Sequence, residues 1–339
     1  MVKASESKAK GFFFGILAAV SYGVNPLGAK YLYEEGMNVE SVLFYRYGLA
    51  ALIIGVIMAV KIMMHRKTAS TDPATESIET FKVSKGELST LTALGLLFVI
   101  SSLTLYCSFL YMDSGVACSL LFVYPVMTAV LMAMLYGEKI TKATAAAIAL
   151  SLIGVLLLYK GDGETVLSTV GVLLVMASAL SYALYIIVVN RASAPESELE
   201  ASHNRFSKYL PHRASIHRLE MSAMKLSFYV LIVCALSIVL FSFTSPERHI
   251  MPLVTGHEWG YSLMLAIVPT VFSLVSMGIA VRIIGSTPTA IMGALEPLTA
   301  VVIGLTVFHE ALTVNLAVGI LLILAAVVII ILGKGEATS

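Results

Sequence analysis

Ten stretches of this sequence, each about twenty residues long, are apolar and carry few charges. They lie at 11–33, 40–62, 88–111, 115–136, 141–159, 166–189, 219–243, 259–281, 287–308 and 312–332. An apolar stretch of about 18 or more residues is long enough to cross a bilayer as a helix. Because these runs are apolar on every side, they do not fit the alternating strands of a β-barrel. The sequence therefore predicts an all-α polytopic membrane protein with ten transmembrane helices, numbered here as spans one to ten in chain order.

The composition excludes most other classes of protein. Hydrophobic residues make up 58% of the chain and charged residues only 13%, whereas a soluble domain carries roughly 25% charged residues. The 22 Lys and Arg side chains almost balance the 21 Asp and Glu side chains, which argues against nucleic acid as a partner. The 3 cysteines lie within apolar stretches, and the 7 histidines lack the spacing of metal ligands. We therefore expect no disulfide framework, no metal site and no cofactor.

The distribution of positive charges predicts how the chain is oriented. With the N-terminus inside, the loops 63–87 and 190–218 and most Lys and Arg residues are cytoplasmic, and the outer side holds only Lys30, Lys160 and Arg248. This bias follows the positive-inside rule. We expect a protein of the cell (inner) membrane with both termini in the cytoplasm. A regulatory or lipid-binding role of the two long loops stays open beside their interpretation as solvated connections.

The two halves of the chain contain matching residues in the same order. The matches are Gly11, Ala19, Ser21 and Tyr22 with Gly171, Ala179, Ser181 and Tyr182, and Ser114, Pro125, Val130, Glu138 and Thr141 with Ser286, Pro297, Val302, Glu310 and Thr313. Span one thus matches span six, and span four matches span nine. Because five spans per half is an odd number, the second half must enter the membrane from the opposite side. The sequence predicts two inverted five-helix repeats, 11–160 and 166–333, a plan common in secondary transporters.

In these residues and in several short motifs, the sequence resembles the ten-span EamA family, whose members carry two tandem EamA domains. This family belongs to the drug/metabolite transporter superfamily. The motifs are Ser21-Tyr22 with Asn25-Pro26, Phe44-Tyr45-Arg46, Tyr124-Pro125 with Gly137-Glu138 and Thr141, Ser181-Tyr182, Glu296-Pro297, and Glu310 with Thr313. The resemblance covers residues 11–332. It implies alternating access and a central cavity formed mainly by spans one, three, four, six, eight and nine. Family members move amino acids, other small metabolites, nucleotide-linked sugars or drugs.

Four prolines within spans are candidate hinges, namely Pro26, Pro125, Pro269 and Pro297. A proline inside a helix removes one backbone hydrogen bond. Broken helices at matched positions of two repeats point to a binding site near the midplane of a transporter. A kink that only improves helix packing is the alternative interpretation.

Polar side chains near the middle of spans are candidate substrate-binding residues. The set comprises Tyr22, Asn25, Arg46, Tyr106, Tyr124, Tyr182, Tyr185 and Glu296. The tyrosines lie too deep for interfacial belts, and a buried hydroxyl needs a partner either in the bundle or on a ligand. Arg46 lies about two turns inside span two, where it attracts a substrate carboxylate, pairs with an acidic side chain or extends to the lipid headgroups.

Glu296 is the only acidic residue in the middle of a span, and it precedes Pro297. Burial at the bilayer centre favours the neutral acid over the carboxylate. We therefore interpret Glu296 as a residue that binds substrate and exchanges a coupling proton, with a permanently protonated structural role as the alternative. Glu138 and Glu310 follow the ends of spans four and nine, and helix-end capping explains their positions.

Together these features predict a secondary active transporter that moves a small organic metabolite, such as an amino acid, outward by alternating access. The expected partners are the small-molecule substrate, the lipid bilayer and protons as the coupling ion. A multidrug transporter that exports cationic compounds is the main alternative. A membrane receptor or an embedded enzyme is less favoured, since no histidine or aspartate lies mid-span to form a catalytic constellation.

Overall fold

The computed structural model describes residues 2–69, 81–136, 140–160, 168–193, 219, 221–284, 289, 292–311 and 313–336, and within them all regular structure is helical. The helices are α1 (Val2–Gly23), α2 (Asn25–Glu34), α3 (Val39–Ala69), α4 (Lys85–Ser108), α5 (Ser114–Leu121), α6 (Tyr124–Tyr136), α7 (Lys142–Lys160), α8 (Thr169–Ser193), α9 (Ala223–Ser242), α10 (Gly256–Ala266), α11 (Ser273–Ile284), α12 (Leu295–Val307) and α13 (Val314–Glu336). A short 3₁₀ helix (Pro246–Arg248) precedes α10, and a π-helical turn (Ile267–Phe272) joins α10 to α11. The part of the chain that the structure describes is all-α, as predicted.

Apolar helical segments occur at each of the ten predicted stretches. Seven, within the described residues, are long and apolar enough to cross a membrane. Three others, at 144–157, 295–307 and 314–329, are apolar but shorter. The number of membrane crossings therefore stays a prediction. Helix α3 continues to Ala69, beyond the start of the loop predicted at 63–87, and most of the loop predicted at 190–218 lies outside the described residues.

Polar residues next to the apolar segments set the starts of several helices. The Ser84 hydroxyl accepts a hydrogen bond from the backbone N–H of Glu87, whose carboxylate accepts one from the Ser84 N–H. Thr255 and Glu258 form the same capping box at the start of α10. Each box satisfies N–H groups that have no partner within the helix, which fixes where the helix begins.

The four candidate hinge prolines all lie at irregularities in the helices. Pro26, Pro125 and Pro297 occupy the first turns of α2, α6 and α12, directly after breaks in spans one, four and nine. Proline is tolerated there because the first N–H groups of a helix lack intrahelical partners. Pro269 lies inside the π-helical turn of span eight. At the breaks the backbone forms turn hydrogen bonds, such as those from the Val24 N–H to the Ser21 carbonyl and from the Val123 N–H to the Leu120 carbonyl, in place of α-helical ones.

Each half of the chain packs mainly on the other half. Span one (α1) packs on span eight (α11), and span three (α4) packs on span six (α8). Spans two and seven, four and nine, and five and ten also form contacting pairs, represented by α3 with α9, α5 with α12, and α7 with α13. If each span is replaced by its counterpart in the other half, so that one becomes six, two becomes seven and so on, the same contacting pairs are obtained.

Small residues allow α7 and α13 to approach closely. Ala147 and Ser151 of α7 are buried, and a Cβ atom added at Gly154 would lie 2.8 Å from the carbonyl oxygen of Gly319 in α13. Other side chains of α7, such as Leu156, point outward and are exposed. Such small-residue contacts drive helix association in lipid, where no hydrophobic effect operates between helices.

We expect Gly154→Leu to separate α7 from α13 and to lower the thermal midpoint of the purified protein by roughly 3–10 °C. Gly260→Leu is the matched control, because nothing lies within 4 Å of a Cβ atom at that exposed position. Thermal unfolding in detergent, followed by size-exclusion chromatography, measures the effect. Equal midpoints for the two variants would contradict the close packing at Gly154.

Candidate functional site

A cavity lies where the breaks of spans one, four and nine meet spans two, three and six. Its lining residues are Tyr22, Gly23, Asn25, Arg46, Phe98, Ser101, Ser102, Leu105, Tyr106, Cys118, Leu121, Phe122, Tyr124, Tyr182, Glu296 and Pro297. Aromatic and aliphatic side chains line it together with a few polar groups, a composition typical of sites for small molecules.

The structure brings seven of the eight predicted binding residues to this one cavity: Tyr22, Asn25, Arg46, Tyr106, Tyr124, Tyr182 and Glu296. The eighth, Tyr185, is not among the lining residues. Its ring stacks on that of Tyr182, with centroids 5.8 Å apart and an interplanar angle of 11°. Tyr185 therefore supports the cavity wall from behind.

Arg46 lies inside the helix bundle and does not extend to the headgroups. Its side chain is 3% exposed. The Nε–H donates to the Thr270 hydroxyl at 3.1 Å, and Nη1 donates to the Tyr106 hydroxyl at 2.7 Å. The rings of Tyr22, Tyr47 and Tyr106 lie 5.4–6.0 Å from the guanidinium carbon, close enough to stabilise the cation through their π-electrons.

A chain of hydrogen bonds connects Arg46, in span two, to three other spans. Thr270, which accepts from Arg46, donates its own hydroxyl hydrogen to the carbonyl oxygen of Leu265. That carbonyl lies five residues earlier, near the end of α10. Tyr106 in turn donates to the Asn25 side-chain oxygen at 3.2 Å, next to the break in span one. Span eight thus contributes to the site by orienting Arg46, although none of its residues line the cavity.

Aromatic rings form part of the cavity wall. The ring of Tyr124 meets that of Tyr182 edge to face, with centroids 4.7 Å apart. Phe98 lies 6.2 Å from Tyr182 and 5.3 Å from Tyr185. Edge-to-face and offset contacts of this kind stabilise aromatic clusters beyond their buried area. The wall offers apolar ring faces and the hydroxyls of tyrosines to a bound molecule.

Glu296 contributes the only carboxyl group among the lining residues. Within the described residues, no Lys, Arg or His side chain lies within 4.0 Å of it. Its backbone N–H donates to the Gly293 carbonyl at the start of α12. A Cβ atom added at Gly23 would lie 2.6 Å from the Glu296 carbonyl oxygen. Only glycine at position 23 therefore lets the broken ends of spans one and nine meet this closely.

Sequence reasoning missed several lining residues because apolar and small residues are typical of any span. Phe98, Ser101, Ser102, Cys118 and Phe122 belong to this group. The hydroxyls of Ser101 and Ser178 lie 3.0 Å apart and join spans three and six beside the cavity. Ser101 and Ser102 could have been recognised, because they form a polar pair in an otherwise apolar stretch.

Comparisons with known proteins identify the family and the fold. A chain of known crystal structure superposes with a TM-score of 0.54 over 99% of both chains, at 16% sequence identity, which shows a shared fold. A protein of Archaeoglobus fulgidus named an uncharacterized transporter is 24% identical over 217 residues, which are 64% of this chain and 67% of that protein. The model of the EamA-like transporter family matches residues 9–160 and 214–332. Since these matches include most of the sequence, the chain belongs to the EamA-like transporter family, and it is a membrane transporter rather than an enzyme.

Proposed function

We propose that this transporter exports a small organic metabolite, such as an amino acid, by alternating access with protons as the coupling ion. The observation that carries the proposal is the presence of a basic and an acidic side chain in one cavity. A buried guanidinium and a carboxyl group line the same space without forming an ion pair with each other. A substrate that carries both a carboxylate and an amine matches such a pair.

Arg46 is the proposed contact for the substrate carboxylate. A guanidinium has five N–H donors arranged to hold a carboxylate with two parallel hydrogen bonds. Two of its nitrogen atoms donate to neutral hydroxyls, those of Thr270 and Tyr106. No acidic side chain of the described residues lies within ion-pair distance of Arg46. Its charge is therefore stabilised by hydroxyls and rings but not neutralised, and a carboxylate would neutralise it.

Glu296 is the proposed contact for the substrate amine and for the coupling proton. An ionised carboxylate is costly at the centre of a bilayer, so the group binds either a proton or a cationic amine when the cavity is closed. Its position directly before Pro297, at the break in span nine, places it where helix geometry can change. Competition between proton and substrate at one carboxylate would couple their movement across the membrane.

Export of cationic drugs is the second candidate function. The aromatic wall of Tyr124, Tyr182 and Phe98 and the carboxyl group of Glu296 would suit a flat organic cation. Arg46 in the same cavity opposes this function, because it repels a second positive charge. The presence of Arg46 is the reason for preferring a carboxylate-bearing substrate.

We also propose the finer architecture of ten spans in two inverted repeats, 11–160 and 166–333, in the cell (inner) membrane with both termini cytoplasmic. The matched residues of the two halves support it, and so does the symmetric set of contacts between spans. The breaks at Pro125 and Pro297 occupy matched positions. In this architecture the candidate hinges let two bundles open the cavity to either side in turn.

Labelling of introduced cysteines in a cysteine-free background tests the inverted arrangement. We expect a membrane-impermeant thiol reagent added outside intact cells to modify Ala311→Cys, because the loop after span nine is predicted to be external. Lys139→Cys, after the matched span four, should react only when the membrane is permeabilised. Equal labelling of both positions from outside would contradict the inverted repeats.

Substitution of Arg46 tests the charge of the substrate. Transport by proteoliposomes is first screened with radiolabelled amino acids, organic acids and quaternary ammonium compounds. We expect Arg46→Gln to raise the KM for carboxylate-bearing substrates about tenfold or more, since a charge-assisted pair of hydrogen bonds is lost. Arg46→Lys should retain part of the affinity, and Arg248→Gln, at an exposed side chain, should leave KM unchanged. Transport of quaternary ammonium compounds that is unaffected by Arg46→Gln would favour the cationic-drug function.

Substitution of Glu296 tests proton coupling. Glu296→Gln keeps the shape and hydrogen bonding of the side chain but cannot release a proton. We expect this variant to lose accumulation driven by a pH gradient while it retains substrate exchange across the membrane. Glu247→Gln, in the short 3₁₀ helix before α10, serves as the control. Wild-type accumulation and wild-type pH sensitivity in Glu296→Gln would show that the carboxyl group has only a structural role.

A further inference from the structure

Glu310 connects three separate segments of the chain. Its Oε1 atom lies 2.5 Å from Lys30 Nζ of α2, and it accepts hydrogen bonds from the backbone N–H of Ser114 at 3.1 Å and from the Ser114 hydroxyl at 3.0 Å. The Oε2 atom accepts from the backbone N–H of Gly115 at 3.3 Å. Both oxygens are therefore bonded, to α2 and to the first residues of α5. We call these contacts the Glu310 clasp.

The surrounding backbone is shaped around the Glu310 carboxylate. A Cβ atom added at Gly304 would lie 2.1 Å from Oε2, and one added at Gly115 would lie 3.2 Å from it. His309 has a φ of 53°, which turns the chain after α12 so that the Glu310 N–H donates to the Gly304 carbonyl at 2.9 Å. The Glu310 side chain is 8% exposed. Glycine at 304 is thus required for the carboxylate to reach its partners.

Aromatic rings extend the clasp across neighbouring spans. Lys30 Nζ lies 4.5 Å from the centre of the Phe308 ring. The Tyr31 ring lies 5.6 Å from Phe308 and stacks at 4.7 Å on Tyr261 of α10. Cation–π and stacking contacts of this kind are strengthened when water is excluded. The clasp and these rings form one layer that includes spans one, four, eight and the end of span nine.

This layer lies beside the cavity, on the face that the charge bias predicts to be external. Lys30 lies five residues after the lining residue Asn25 on α2, which is about 7.5 Å along the helix. Ser114 lies four residues before the lining residue Cys118 on α5, which is about 6 Å. The clasp therefore lies roughly one to two helical turns outward from the cavity.

We propose that the Glu310 clasp is the outer gate of the cavity, made when the cavity is closed to the outside and broken when it opens. Lys30 and Ser114 belong to the first predicted half and Glu310 to the second, so separating the halves on this side must break every bond of the clasp. Helix capping alone explained Glu310 in the sequence. Glu310 does cap a helix, but the helix is α5 of the other half.

Lys30 also stabilises a second acid beside the clasp. Burial raises the pKa of Asp113, and the nearby Glu310 carboxylate raises it further. The Lys30 ammonium group lowers the same pKa. Without the ammonium group, the repulsion between the Asp113 and Glu310 carboxyl groups would lose the cation that offsets it. Removal of Lys30 is therefore expected to open the gate as removal of the Glu310 charge does.

Accessibility of Cys118 measures whether the gate is open, because this native cysteine lines the cavity. The background carries Cys107→Ala and Cys234→Ala, so that Cys118 is the single thiol. A membrane-impermeant methanethiosulfonate is added to right-side-out or to inside-out vesicles. We expect Glu310→Gln to raise the rate of Cys118 labelling from the clasp side about tenfold, the effect of losing one charge-assisted interaction. Labelling from the opposite side should not rise.

Milder variants keep the test decisive if Glu310→Gln folds poorly. Lys30→Gln should raise labelling from the clasp side, and Ser114→Ala, which removes one hydroxyl, should raise it less. Glu35→Gln is the matched control, because its carboxylate is paired only with an exposed histidine, His257, among the described residues. Unchanged labelling in all three clasp variants, or an equal rise in Glu35→Gln, would contradict the proposal that the clasp is a gate.

The test separates this proposal from the proposed function. It uses no substrate and no proton gradient, so an error in the substrate class or in coupling does not affect it. Labelling from both faces also identifies which side the clasp closes, independently of the predicted orientation. A rise on both faces together would indicate loosened packing and would likewise overturn the gate.

Discussion

A permanent positive charge buried among membrane helices must be surrounded by groups that stabilise it, and Arg46 imposes this requirement on the whole centre of the molecule. The guanidinium is held by Thr270 of span eight and Tyr106 of span three, and through Tyr106 it is linked to Asn25 of span one. These partners come from both halves of the chain. The arrangement of the central helices therefore depends on keeping this one cation solvated by protein, and the cavity forms beside it.

Three helices are broken in the same central region of the molecule. A continuous helix satisfies its own backbone and offers no N–H or C=O group to a neighbour or a ligand. The breaks at Val24, at 122–123 and at 293–294 interrupt three spans next to the lining residues. The prolines that follow each break prevent the preceding turn from continuing without adding an unsatisfied N–H group. The regular α-helical hydrogen bonding is thus interrupted beside the cavity, where the backbone forms shorter turn hydrogen bonds instead.

Much of the fold and part of the site could be predicted from the sequence, for physical reasons that differ between residues. Long apolar stretches must become helices in lipid, so the helical class followed directly. Arg46, Glu296 and the deep tyrosines were detectable because polar groups are costly in a bilayer and stand out in apolar sequence. Phe98 and Cys118 could not be distinguished from ordinary span residues, because lining a cavity requires no particular side-chain chemistry. The role of Glu310 also escaped prediction, since its partners are almost 200 and 280 residues away in the chain.

The π-helical turn of span eight has a consequence for how insertions and deletions can be tolerated. A π turn contains one residue more than an α-helical turn, and each residue rotates the following helix by about 100°. The side chains after the turn, such as Ser273, Ser276 and Ala280, are buried, and the Ser273 hydroxyl donates to the Ala18 carbonyl of α1. Removing one residue between 267 and 272 would restore α-helical geometry, and it would turn this buried face toward lipid. The turn thus sets which face of α11 points into the bundle. The packing of the helices on both sides of it therefore fixes how many residues the segment can contain.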